Sequence, residues 1–227
     1  MAISIVDAHD FIRSIIKKNK AGFVSPKDID RAINRGVADW MSAVIYKYQK
    51  TGKFEYDHLL VKRATLTATV ANSAVIDVPT DYIEGLTIYH TDANNVQIEG
   101  TIYSWDEFLE IKNSSILAPD RAFPAATIYI NSSGIPKIEF APVPTSSDFI
   151  YTFVYMRKPA TAYYNAVVDS NGNISAAGNG HTDIDVADRY YSDIISRALM
   201  YLGVTLDNGA VAGLEAMIDV NQKNDER

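Results

Sequence analysis

The chain has no cysteine among its 227 residues. That excludes disulfides, thiolate metal sites and thiol nucleophiles at once. No apolar run reaches the roughly 18 residues that a membrane-spanning helix needs, and the opening MAISIVDAHD has no basic segment and carries Asp7 and Asp10. The expectation is a protein made and kept in the cytoplasm, with no membrane partner. Positive charge is also short: 21 Lys/Arg face 28 Asp/Glu, a net of −7. The imbalance is uneven. Residues 1–63 hold 12 Lys/Arg against 7 Asp/Glu, +5, and the remainder 9 against 21, −12. Without a basic stripe the chain is a poor candidate for holding nucleic acid by phosphate neutralisation. An acidic surface past which DNA slides is compatible with these numbers.

Histidine is scarce too, and the four present show no ligand spacing. His9, His58, His90 and His181 form neither H-x-x-x-H nor H-E-x-x-H, so no metal site is expected from them. Asp169-Ser-Asn171-Gly-Asn173 offers oxygen ligands but lacks the acid that closes a calcium loop, and Asn171-Gly172 between β-formers reads as a hairpin turn instead. His181, Asp183, Asp185 and Asp188 could be assembled into an acid/base cluster on paper, but Asp185 and Asp188 read as capping residues. No nucleophile elbow, phosphate loop or dinucleotide fingerprint occurs, so neither an enzyme nor a bound cofactor is expected.

What is present is a clear alternation of textures. Ile5, Ala8, Phe11, Ile12, Ile15 and Ile16 recur at helical spacing. Ser25-Pro26-Lys27-Asp28 then supplies an N-cap, a proline at the first helical position and an acid at the third. It opens a long helix with Ile29, Ile33, Val37, Trp40, Met41, Val44, Ile45 and Tyr48 on one face, closing near Gly52. After Leu59 the pattern turns to strands: Thr65–Val70, Ala74–Val78, Leu86–His90 and Val96–Tyr103. A turn at Asp92–Asn95 separates the last two, and a short helix from Ser104-Trp-Asp-Glu107 to about Lys112 follows. Thr127–Ile130 and two strands within Ile135–Pro159 complete the β region, whose short turns predict antiparallel pairing. In the last strand Phe149, Tyr151, Phe153 and Tyr155 share one face and Ile150, Thr152, Val154 and Met156 the other, both largely apolar.

Residues 160–185 carry no helical period and predict a projecting arm or β-extension. Asp185 as N-cap predicts a helix to Gly203, and Val211, Leu214, Met217 and Ile218 mark a last helix from about Asn208. The expected fold class is α+β. A helical bundle is built from both ends of the chain (1–58 and 185–227), with an antiparallel β domain inserted at 59–159 and an extended arm or hairpin at 160–184. Tyrosine is abundant, at 14. Tyr151, Tyr155, Tyr163, Tyr164, Tyr190 and Tyr191, gathered in the last strand, the arm and the penultimate helix, are the candidate subunit-interface residues, since tyrosine joins large apolar area to a polar tip.

The order of elements and their punctuation resembles a known family. Ile33-Asn34-Arg35 within the long helix, Val78-Pro79-Thr-Asp81-Tyr82 opening a strand, Ile138-Glu-Phe-Ala-Pro142-Val-Pro144 closing one, Tyr155-x-x-x-Pro159 and the closing helical pair are similar to motifs of head-to-tail adaptor proteins. These are the connector-ring or tail-tube proteins of short-tailed, podovirus-like phages, the crAss-like phages of gut bacteria among them. The resemblance implies a structural virion protein of the neck and tail, assembled in the host cytoplasm. Its partners would be further copies of itself in a ring of about twelve, the portal, and tail or further ring proteins. DNA would pass through the lumen without sequence-specific binding. The alternative reading is a β-rich binding module of another virion or surface structure.

Overall fold

The computed structural model describes residues 2–18, 24–52, 60–69, 73–91, 96–144, 149–170 and 174–204. The fold is mixed α+β, and it divides into two compact units, residues 1–59 with 159–227 and residues 60–158.

In the first unit, α1 (Ile5–Lys18) buries Ile5, Ala8, Ile12, Ile15 and Ile16 on one side, the face its spacing dictates. Helix α2 (Pro26–Thr51) starts where the cap residues say it must. Ser25 accepts from the Asp28 N–H at 3.2 Å, and Gly52 ends the helix in the left-handed region at φ 64° while donating to Tyr48. A two-residue strand, β1 (Ala2–Ile3), precedes α1.

The second unit is a seven-stranded sheet: β2 (Val61–Ala68), β3 (Val75–Asp77), β4 (Tyr82–Thr91), β5 (Gln97–Tyr103), β6 (Ala125–Ile130), β7 (Pro136–Ala141) and β8 (Phe149–Arg157). Its order is β2-β8-β4-β5-β6-β7-β3. β8 therefore sits between two partners along its length, pairing Tyr151 with Leu66 on one side and His90 on the other. All seven strands send side chains to a single core around Phe149, Tyr151, Phe153 and Tyr155, so the sheet curls around its own aromatic face. On the other face of β8, Thr152, Val154 and Met156 are buried too, and Ile150 is half exposed.

The expectation of a purely antiparallel sheet is corrected at one pair: β5 and β6 run parallel. The physical reason is the crossover between them, which contains α3 (Trp105–Asn113) and is long enough to return the chain in the same direction. α3 begins with the expected capping box, Ser104 and Glu107 each bonding the other's backbone N–H.

Residues 184–187 bring a second correction. They form β11 (Ile184–Ala187) rather than the first turn of a helix, following a hairpin of β9 (Ala166–Val168) and β10 (Ile174–Ala176). Ile184 and Val186 alternate inward, at 1% and 0% exposure, and the strand pairs with β1. Period-2 burial outweighs the capping pattern there. A single 3₁₀ turn at 188–190 leads into α4 (Tyr191–Tyr201), with Gly203 following at φ 71°. Asp185 accepts from the Ala160 N–H instead of capping, and Asp183 takes the capping role on a different helix, accepting from the first N–H of α1 at Ile5. The expected helix from Asn208 and the turns at Asp92–Asn95 and Asn171-Gly172 lie outside the described residues.

Buried phenols make this fold sensitive to alkali. Burial pushes the hydroxyls of Tyr82 and Tyr155 up to about 12, helped by Glu84 and by the bond to Asp81 respectively. Tyr151 and Tyr191 are raised further by burial. In the unfolded chain these phenols ionise near 10. Between pH 10 and 12 the unfolded state thus releases protons that the folded state keeps, and stability falls as pH rises. Thermal melting followed against pH should stay level up to about pH 9 and fall steadily above 10. A melting point unchanged at pH 11 contradicts the burial of these hydroxyls.

Candidate functional site

Residues 159–170 and 174–187 belong to the first unit, and two side chains of α2 hold the start of this stretch at Ala162 and Tyr164. Asn34 reads the backbone of Ala162 as a neighbouring strand would: its Oδ1 accepts from the Ala162 N–H and its Nδ2 donates to the Ala162 carbonyl, both at 2.8 Å. One turn earlier, Asp30 accepts from the Tyr164 N–H at 3.2 Å and from Nε2 of fully buried His9 at 2.8 Å. The Tyr164 ring lies flat on His9, centroids 4.1 Å apart at 9°, with the Arg13 guanidinium 5.1 Å from its centroid.

Further out, Tyr163 pairs with Thr182 through two backbone hydrogen bonds of 2.9 and 2.8 Å. His181 closes the base: its Nδ1 accepts from the Asn165 N–H at 3.0 Å and its Nε2–H donates to the Ala177 carbonyl at 2.6 Å. Where an extended arm or hairpin was expected, a hydrogen-bonded base carries the β9–β10 hairpin, on which Val167 and Val168 are 48% and 62% exposed.

The six candidate tyrosines divide between the two units, Tyr151 and Tyr155 in the second and the other four in the first. Tyr151 is fully buried against Phe140, ring centroids 4.2 Å apart, and donates to the Pro142 carbonyl at 3.1 Å. Tyr155 is buried on Phe153 and donates to Asp81 at 2.8 Å. Bonds from the Lys62 ammonium and this hydroxyl hold the Asp81 carboxyl below the ordinary carboxylate range. Tyr164 is buried on His9. Tyr190, beside Trp40 at 4.7 Å, and Tyr191, edge-on to Phe11 at 6.1 Å, are half-buried, and Tyr163 is the exposed one of the six at 51%.

Sequence reasoning passed over a different surface. Between α3 and β6, Ile116, Leu117 and Phe123 stand 90%, 67% and 77% exposed. Ser114 Oγ accepts from the N–H groups of Ile116 and Leu117, and Asp120 Oδ1 from those of Ala122 and Phe123. These side-chain bonds hold the loop in one shape and present its apolar residues ready-made. A cleft of about 530 Å³ opens beneath, lined in part by Glu99, Tyr103, Ile111 and Pro124. The signal in sequence was Ser and Asp placed just ahead of apolar residues outside any periodic run.

The acids and the histidine of 181–188 that could be grouped on paper each hold backbone or lie exposed, and no group of three or more metal-ligating side chains occurs among the described residues. What the geometry offers is contact area. The sequence profile of the SU10 adaptor protein family matches residues 8–224. The chain belongs to that family. It is a family of phage structural adaptors and not one of enzymes, so the resemblance drawn from the sequence holds at the level of the phage head-tail adaptor. Among curated proteins, none matches the chain. Within this SU10 adaptor family member, the Ile33-Asn34-Arg35 motif now has a physical reading. Ile33 is core, Asn34 clamps Ala162, and the Arg35 guanidinium lies 4.6 Å from the Tyr201 ring centroid.

Proposed function

We propose that the chain is a head-to-tail adaptor of a short-tailed phage, in which copies form a ring of about twelve beneath the portal and continue the DNA channel into the tail. The observation that carries this reading is the adaptor-family match, which runs through both compact units. Function in this reading is geometric: many modest interfaces closed by cyclic symmetry, around a lumen whose acidity discourages DNA from sticking. The net charge of −7 suits that role. The helical unit packs around the ring and the β unit faces tail proteins or the next ring. Tyr163 and the hairpin beside it, with half-buried Tyr190 and Tyr191, are the tyrosine-bearing surface left for neighbours.

Mass measurement and negative-stain imaging of the purified protein, with and without its portal, test the reading. A ring on the portal supports it, and a protein that neither binds portal nor enters particles ends it. The hairpin has its own test. Replacing residues 168–174 with Asn-Gly keeps a two-residue turn on the Val167–Ser175 pair and spares the buried base at Tyr164 and His181. The expected result is an unchanged melting temperature with about tenfold less incorporation into particles, a factor worth about 1.4 kcal/mol. Equal incorporation removes the hairpin from the interface.

A further inference from the structure

The preformed apolar loop 114–124 has a counterpart on the same chain. Where α2 begins and α4 ends, a second cleft of about 430 Å³ is lined by Val24, Ala32 and Leu202 together with Arg31, Arg35, Asp28 and Tyr201. Arg31 is 69% exposed at its side chain and leans on Asp28 at 3.4 Å, while Arg35 stacks on Tyr201. The surface there is apolar with two guanidinium groups against the one Asp28 carboxylate. The loop is apolar with carboxylates. Glu99 and Asp120 stand in its cleft, and its cation, Arg121, is folded back onto the Phe149 ring at 4.6 Å. Ile116, Leu117 and Phe123 remain exposed, so nothing within the described chain fills their role.

We infer that the loop carrying Ile116, Leu117 and Phe123 docks into the Arg31–Arg35 cleft of a second copy of this chain. The inference rests on the adaptor reading and names the contact between neighbouring subunits. A knob and a groove at different places on identical chains make a head-to-tail contact, the kind that closes into rings. Apolar side chains supply the area, and the opposite charges set which face meets which, since like charges in that position would repel.

The absence of cysteine gives a clean test. Val24→Cys and Leu117→Cys are introduced singly and together, and particles assembled with each chain are treated with a short bismaleimide. The inference expects a ladder of linked copies from the double variant and unlinked chains from each single one. Glu99→Arg and Arg31→Glu should each lower incorporation about tenfold, and together restore it. Glu99 is chosen because Asp120 also shapes the loop. Normal incorporation with no ladder overturns the inference and leaves the adaptor reading standing. Leu117→Cys linking to itself or to the portal overturns it as well, as does protection of Val24→Cys from maleimide in the unassembled protein, which shows the cleft already filled. If the unaltered chain does not enter particles at all, the adaptor reading falls first.

Discussion

Gly100→Ala is expected to lower the melting temperature by about 10 °C, from a loss of about 3 kcal/mol. A Cβ on Gly100 would stand 2.3 Å from the Pro124 carbonyl oxygen, 2.8 Å from Pro124 Cγ and 2.9 Å from Ile88 Cγ1. None of these neighbours can yield cheaply. The Pro124 oxygen accepts from the Thr101 N–H at 3.1 Å, where the parallel pair of β5 and β6 begins. Ile88 is fully buried in the sheet's core and pairs directly with Gly100. The added methyl must push β5 from β6 or drive Ile88 into its neighbours, and a close-packed interior resists both. Two control glycines separate this cause from loss of flexibility. At Gly134, open space surrounds the Cβ position but φ is +76°, so alanine should cost about 1 kcal/mol from backbone strain alone. At Gly178 there is neither crowding nor positive φ, and alanine should leave stability unchanged. A Gly100→Ala protein that melts with the Gly178 variant contradicts the close approach.

The contrast between Gly100 and Ser104 shows what could be read from the chain before its fold. Ser104 and Glu107 declare a helix start within four residues, and the structure places it there. The caps of α2, the apolar stripe of α1 and the aromatic face of β8 are equally local, and each was legible because its cause lies within a turn or two of chain. Gly100, within the predicted strand Val96–Tyr103, carries no such local sign. Its reason is Pro124, beyond a helix and a loop. The parallel pairing of β5 with β6 was hidden for the same cause, and β11 was hidden because its partner is at the other end of the chain, at Ala2–Ile3. The tyrosines divide likewise. Composition marks them as suited to interfaces, but whether a phenol faces solvent or Phe140 depends on how the sheet curls, which no local pattern states. The 114–124 loop, conversely, has a local signature, yet exposure of its apolar residues is a property of the finished surface.

Asp30 is the residue whose sequence reading and structural role differ most, and its replacement is expected to be as damaging as that of Gly100. On a helical wheel it is one more acid in an N-terminal turn. In the fold, its carboxylate takes bonds from the His9 ring and from the Tyr164 N–H, tying α1, α2 and the returning segment together. Asp30→Ala leaves both donors buried with no acceptor, and each such orphan costs about 1–3 kcal/mol. A loss of about 3–4 kcal/mol follows, since water that might enter the vacated space offsets part of the sum. Asp30→Asn keeps Oδ1, which takes both the His9 and the Tyr164 bonds, and gives up the charge and the 3.4 Å second contact, so a smaller loss of about 1 kcal/mol is expected there. Asn34→Ala removes the two Ala162 bonds and is expected to free the same segment without disturbing His9. Hydrogen exchange distinguishes the two routes. Asp30→Ala should speed exchange at the Tyr164 amide and in α1, whereas Asn34→Ala should speed it at Ala162 with α1 unaffected. If both variants exchange alike throughout, the carboxylate is not the junction between helix and returning chain. The hairpin above this base would then owe its position to something other than the Asp30 bonds.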